Sequence, residues 1–381
     1  MADLLSSRAL RRGLPWVLIV LLALLLPAVL PPFRLNLLGR FLSLGIVALG
    51  VDLIWGFTGM LSLGQGIFFA LGGYALGMYL SLNSLEPGQL PEFFSLYGVQ
   101  SLPAFWQPFA SPLFTLLALW VIPALVAGVL GYLVFRNRIK GVYFSILTQA
   151  ALLVFFNFFN GQQKLINGTN GLKTDTARIF GALVGSDAMQ RNLFWLTVVL
   201  AVGAFLLCRW LTSGRFGDAL IAIRDDEPRM RFTGYNPTAY KTLVFAVAGA
   251  LAGISGALYT VQSGIVSPQF MAVPFSIEMV IWVAVGGRGT LIGALLGAVL
   301  INYAKSLVSE ALPETWLFIQ GGLFLLVVTA LPDGLVGWWR SGGPGHIQAM
   351  VGWPPLAATY PELDLDPAVQ AEKAELEGGA R

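Results

Sequence analysis

The side chains best able to do chemistry in this 381-residue chain crowd into one stretch, Ser213 to Lys241, read as SGRFGDALIAIRDDEPRMRFTGYNPTAYK. Arg215, Asp218, Arg224, Asp225, Asp226, Glu227, Arg229, Arg231 and Lys241 all fall there, although only 11% of the chain is charged. A charged side chain at the centre of a bilayer costs about 2.5–3.5 kcal/mol on insertion scales, so the stretch is expected to be an aqueous loop, and its excess of Arg and Lys predicts the cytoplasmic side. Phe216, Leu220 and Ile223 recur at helical spacing with Asp218, Arg224 and Asp225 off that stripe. The pattern predicts a short amphipathic helix that docks on another surface. The chemistry offered is recognition of a partner by charge.

Elsewhere, three ionisable residues fall inside apolar blocks: Asp52, Glu278 and Lys305. Each needs a partner, an aqueous cavity or an interface. Ser62, Gln65, Gln149, Asn157 and Asn302 are uncharged polar groups that could line a path or bridge helices. The chain has one cysteine, Cys208, and one histidine, His346, which leaves no disulfide framework, no imidazole cluster for a metal and no membrane-embedded general base. None of the six lysines follows a glycine, so the phosphate loop G-x-x-x-x-G-K-[ST] is absent, as are G-x-S-x-G and H-E-x-x-H. No catalytic residue, metal site or cofactor is expected. The net charge of +3 follows the loop arginines and reflects topology, not nucleic-acid binding. What remains is a conduit driven by an ion gradient or by a separate ATPase.

The elements that must position these residues are helices in lipid. With 56% apolar residues and 44 glycines, the composition predicts an all-α polytopic membrane protein. Spans are expected near 14–31, 40–56, 60–82, 111–135, 141–160, 192–211, 242–262, 276–287, 290–309 and 316–332, about ten crossings. Arg8, Arg11 and Arg12 before the first span, and Arg136, Arg138 and Lys140 after the fourth, predict cytoplasmic ends for both. Arg34 and Arg40 then fall in an outer turn, and Lys164, Lys173 and Arg178 in an outer loop, against the charge rule. Residues 1–340 are expected to form the transmembrane domain, with 213–241 as its cytoplasmic loop, and 341–381, acidic and proline-rich, a flexible cytoplasmic tail. Between Gly56 and Tyr74 the glycines predict a broken or closely packed helix start around Thr58, Ser62 and Gln65, serving either helix packing or a pathway-lining half-helix. Gly286, Gly287 and Gly289 predict a tight interhelix turn exposing Arg288.

Several stretches carry a resemblance over about residues 40–335: GMLSLGQGIFFALGGYALGMYL (59–80), GVYFSILTQA (141–150), NGTNGL (167–172), IRDDEPRMRFTGYNPTAYKTLVFAVAGALAGISGALY (223–259), SIEMVIWVAVGGRGTLIGALLGA (276–298) and ALPETWLFIQGGLF (311–324). They resemble membrane subunits of bacterial ABC importers in the branched-chain amino acid permease family. GYNPTAYKT, IWVAVGGRGTL, NYAKS and ALPETW look most like its urea-transport branch, while Gln65 stands where many relatives have histidine.

The resemblance implies an ABC importer permease fold in the bacterial inner membrane; ten crossings and the charge rule predict both termini cytoplasmic. The implied partners are a homologous second permease, two ATPase subunits, an extracytoplasmic substrate-binding protein and membrane lipid. Ala222 to Gly234 would couple to the ATPase, with Arg224, Asp225, Asp226, Glu227, Arg229 and Gly234 as the contact. Ser62, Gln65, Gln149, Asn157 and Glu278 would line the substrate path, urea being the expected cargo and a branched-chain amino acid the alternative. An ion-coupled secondary transporter using Asp52 or Glu278, and an anchoring subunit, stay open as further classes.

Overall fold

The computed structural model describes residues 26–340 except 28, 86–88, 180–181, 312–314 and 331–333. The span expected at 14–31 lies almost entirely outside the described residues, and the tail 341–381 wholly so. By its internal contacts the chain separates into one large unit, Ile19–Val336, and a second made of Met1–Leu18 with Gly337–Arg381. The fold described below is that of the large unit.

Its helices are α1 (Pro32–Thr58), α2 (Gln65–Asn83), the short α3 (Glu92–Leu96), α4 (Pro112–Arg136), α5 (Val142–Gly161), the short α6 (Gln163–Ile166), α7 (Asp187–Thr212), α8 (Arg215–Asp225), α9 (Glu227–Phe232), α10 (Pro237–Ser263), α11 (Val273–Gly286), α12 (Ile292–Ala311) and α13 (Trp316–Ala330). Among the described residues seven helices, α1, α2, α4, α5, α7, α10 and α12, are long and apolar enough to cross a membrane, and α11 and α13 are shorter apolar helices. Each expected span within the described residues therefore has a helical counterpart. Among the described residues the all-α expectation holds apart from four two-residue strands: β1 (Leu172–Lys173), β2 (Arg178–Ile179), β3 (Ala182–Leu183) and β4 (Ile265–Val266). They pair antiparallel as β1 with β4 and β2 with β3.

Local sequence sets the helix ends. Pro32, Pro112 and Pro237 lie in the first turns of α1, α4 and α10, where no N–H is required. Gly59 and Gly264 close α1 and α10 in the left-handed conformation, with φ of 70° and 80°. Two boundaries differ from expectation. Helix α1 starts at Pro32, so Arg34 and Arg40 are helical and not in a turn; the Arg40 Nε–H donates to the Gln262 carbonyl at 3.0 Å, satisfying the last turn of α10. Helix α2 starts only at Gln65, because Gly59–Gly64 is not helical.

α1, α2 and α10 form the centre, buried along most of their lengths, with α11 beside them. α4, α5 and α7 surround them and leave most of their apolar surface outward, as lipid-facing helices do. Glycine permits the closest approach. A Cβ on Gly72 would come within 2.0 Å of the Gly253 carbonyl oxygen, so α2 and α10 cross backbone to backbone. Cys208, on α7, is free and fully buried.

Length separates α11 from its neighbours. At 1.5 Å per residue, α10 rises about 40 Å and α11 only about 21 Å, short of a hydrocarbon core about 30 Å thick. One end of α11 reaches the turn at Gly287, beside the charged loop, so its other end starts inside the bundle.

Candidate functional site

The charged loop folds as two helices set at one end of the bundle. Leu220, Ile223, Ala219 and Gly217 are buried, so α8 lies on its expected apolar stripe against α1 and α7. Phe216 stacks on Tyr240 of α10, ring centroids 5.2 Å apart. Asp226 begins α9 by accepting from the Arg229 backbone N–H at 3.0 Å, and Gly234, at φ 87°, ends it.

Most of the expected contact residues are used inside the chain. The Arg224 guanidinium donates from Nη1 to the Gly56 carbonyl at 3.0 Å and from Nε to Asp225 at 3.0 Å. Glu227 turns inward, accepting from Lys241 Nζ at 2.6 Å and from Arg231 Nη2 at 2.7 Å, with Lys241 itself buried. Asp226 and Gly234 serve α9's two ends. Arg229, 82% exposed, projects outward, as does Asp225. The residue that charge-based reading passes over is Phe232, which is 92% exposed at the end of α9. Its signal in the sequence is an aromatic in RMRFTG that belongs to no apolar stripe.

Burial would raise the Glu227 carboxyl, but the hydrogen bonds from Lys241 and Arg231 and their charges outweigh it and hold its pKa below the ordinary glutamate value. A depressed folded-state pKa contributes stability that is present above the unfolded value and is lost as pH falls through the folded one. Amide exchange across 227–241, taken relative to its pH-dependent intrinsic rate, is therefore expected to stay slow at neutral and mildly acidic pH and to accelerate only below the usual glutamate range. In Glu227→Gln it should be fast already at neutral pH, because Lys241 is left without its counter-charge. Equal exchange in the two proteins at pH 7 would refute this anchor.

The second candidate region is the break before α2. Ser145 Oγ donates to the Leu61 carbonyl at 2.7 Å, and the Leu63 N–H donates to Thr148 Oγ1 at 3.1 Å, so α5 holds the non-helical segment. The Gly64 N–H donates to Ser62 Oγ at 3.3 Å, and the Gly66 N–H to Ser276 Oγ in the first turn of α11 at 3.3 Å. The first turns of α2 and α11 thus meet within the bundle, and each presents the positive end of its helix dipole. Gln65 is 1% exposed, and both atoms of its carboxamide lack a hydrogen-bond partner. Phe69, one turn along α2 from Gln65, packs with Phe270 and with Phe275 in the first turn of α11, centroids 5.1 to 5.6 Å apart, and the Phe270 carbonyl lies against Gly66.

The expected pathway residues separate. Ser62 and Gln65 come together with Ser145, Thr148 and Ser276, three hydroxyls that sequence reading missed because only the fold brings them to the break. Gln149 is half-buried on α5. Asn157 is exposed, its Nδ2 donating to Leu153 one turn back at 2.9 Å, and so stands away from the buried cluster. Glu278 accepts from Lys305 Nζ at 2.6 and 2.8 Å, one intramembrane ion pair accounting for two of the three embedded charges. Asp52 accepts two backbone N–H groups from the α11–α12 turn. Both carboxylates considered for ion coupling are thus engaged within the protein. No group of three or more metal-ligating side chains occurs among the described residues.

Comparison with known proteins gives this architecture a context. The LivM permease protein of a high-affinity branched-chain amino acid transport system from Salmonella typhimurium is 26% identical over 76% of this chain and 67% of its own length. The BraD permease protein of a corresponding system from Pseudomonas aeruginosa is 22% identical, covering 77% of this chain and 91% of its own. The autoinducer 2 import permease LsrC of Yersinia pseudotuberculosis is 27% identical over 77% and 82%. No solved structure matches. The profile described as "Branched-chain amino acid transport system / permease component" matches residues 33–328, nearly all of the helical bundle. The chain is a multi-pass transport subunit, not an enzyme, and it belongs to the family of branched-chain amino acid transport system permease components.

Proposed function

We propose that this chain is the permease subunit of an ATP-driven importer, its charged loop cytoplasmic and its cargo a branched-chain amino acid. The observation carrying this reading is the meeting of two helix first turns at Gln65. Paired positive helix ends favour a carboxylate, and a buried carboxamide without a partner offers both a donor and an acceptor. The phenylalanines beside them suit an apolar side chain. An amino acid supplies both chemistries, whereas urea supplies neither charge nor apolar surface. The relatives named for branched-chain amino acid transport favour the same cargo.

In this reading Arg229, Asp225 and Phe232 meet an ATPase subunit, a homologous permease completes the path, and an external binding protein delivers the cargo. Arg136, Arg138 and Lys140 follow Phe135, whose carbonyl accepts from Thr238 beside the charged loop, and this cluster at the same end supports the cytoplasmic assignment. Urea is the second reading. It is favoured by the resemblance of the stretches GYNPTAYKT, IWVAVGGRGTL, NYAKS and ALPETW alone.

The test is uptake of labelled leucine and labelled urea, with and without this gene. Leucine uptake should fall and urea uptake stay constant. Selective loss of urea uptake would overturn the cargo, and loss of neither would overturn the import reading. Gln65→Leu should lower flux while the subunit still assembles; unchanged flux would remove Gln65 from the path.

A further inference from the structure

At the end of α1 beside the charged loop, three segments distant in sequence are joined within two helical turns. Asp52 is fully buried. Its Oδ1 accepts the Gly289 N–H at 2.6 Å and its Oδ2 the Leu291 N–H at 2.8 Å, so one carboxylate grips the α11–α12 turn through both oxygens. That turn is conformationally costly: Gly287, Gly289 and Leu291 all have positive φ, and Leu291, at 49°, is not a glycine. Charge-assisted hydrogen bonds in a buried site are strong enough to hold it.

One turn further along α1, Gly56 lies directly against the same turn. A Cβ there would come within 2.5 Å of the Gly289 nitrogen. The Gly56 carbonyl in turn accepts from Arg224 at the end of α8, and the Arg224 stem packs on Gly59. The Arg288 guanidinium lies 5.4 Å from the centre of the Trp55 ring, a further tie between turn and helix.

Resting on the importer reading above, we propose that Asp52, Gly56 and Arg224 are positioning residues that carry movement of the cytoplasmic loop into α11. Arg224 fixes α8 to the end of α1, and Asp52 fixes that end to the α11–α12 turn. Helix α11 is short, so displacement at its Gly286 end reaches Ser276, which bonds to Gly66 beside Gln65. A continuous series of hydrogen bonds and one rigid helix therefore connects the ATPase-facing surface to the buried cluster. Packed elements with discrete arrangements are what such coupling requires.

The experiment uses the purified importer carrying the full chain and follows amide exchange at 215–232 and at 286–291, with and without ATP. Asp52→Asn puts an amide donor where a backbone N–H now finds an acceptor. Arg224→Met keeps the apolar stem, removes the bond to Gly56 and lies at the surface, so it tests the same relay should the Asp52 variant fail to fold. Both are expected to retain the ATPase subunits, hydrolyse ATP and show the ATP response at 215–232. The response at 286–291 should disappear, and uptake should fall roughly 5- to 150-fold, the span of an ordinary site-to-site coupling.

The double variant should lose no more uptake than the more impaired single one, because both changes cut one series. An unchanged response at 286–291 in both variants would overturn the proposal. So would loss of the ATPase subunits or of the 215–232 response, which would mark a general structural defect. If the unaltered importer shows no ATP response at either segment, the ATP-driven reading itself fails and takes the relay with it.

Discussion

Phe232→Ala is expected to weaken attachment of the ATPase subunits by about 30-fold or more without lowering the amount of folded permease. Truncating a central aromatic anchor in an interface costs about 2 kcal/mol or more, and about 1.4 kcal/mol is a factor of ten in affinity. Within this chain the side chain is 92% exposed, so almost no packing is lost with it. The two effects separate cleanly. Arg229, also projecting, is a solvated charge beside Asp226, and on the proposed interface Arg229→Ala should slow association in a salt-dependent way and cost less. The measurement is a titration of ATPase subunits against detergent-solubilised permease, read beside its size-exclusion profile. Equal affinity for Phe232→Ala and the unaltered protein would remove Phe232 from the interface.

Gly72→Ala should destabilise the bundle by about 3 kcal/mol or more, at the upper end of what overpacking costs. The added methyl would lie 2.0 Å from the Gly253 carbonyl oxygen and 2.5 Å from that residue's carbonyl carbon and Cα. These are backbone atoms of a central helix, which cannot rotate aside as a side chain would, so α2 and α10 must separate. Gly203→Ala is the control. Nothing lies within 4 Å of that position on α7, and alanine there gains helix propensity of about 1 kcal/mol. Thermal unfolding in detergent should show a large drop in midpoint for the first and none for the second. Matching midpoints would mean that the crossing is looser than its geometry.

The helical spans were legible because lipid demands long apolar runs, and nine expected spans find helices near their anticipated bounds. The break before α2 was expected from its glycines, but the span bound at 60 fell short because residues 60–64 are apolar or small, and composition does not register that their N–H and C=O groups bond to Ser145, Thr148 and Ser62. Arg40 looked like a turn residue because its partner, a carbonyl 222 residues away, is invisible in the sequence. The charged loop was recognisable as a helix docked on the bundle, but its residues looked equivalent. Only tertiary geometry shows that Glu227 faces Lys241 and Arg224 faces Gly56, leaving Arg229 and Phe232 outward. Likewise Asp52 and Glu278 were both visible as embedded carboxylates, while their distinct partners, two backbone amides and one lysine, depend on chain segments far away.

The burial of Cys208 has a practical side. It is the sole thiol in the sequence and it lies sealed inside the bundle, so water-borne oxidants and maleimides have no access to it in the folded protein. Changes in the redox poise of the surroundings therefore pass the permease by. A cysteine introduced at an exposed position becomes the one reactive thiol, and probes can be attached singly without first stripping the native residue.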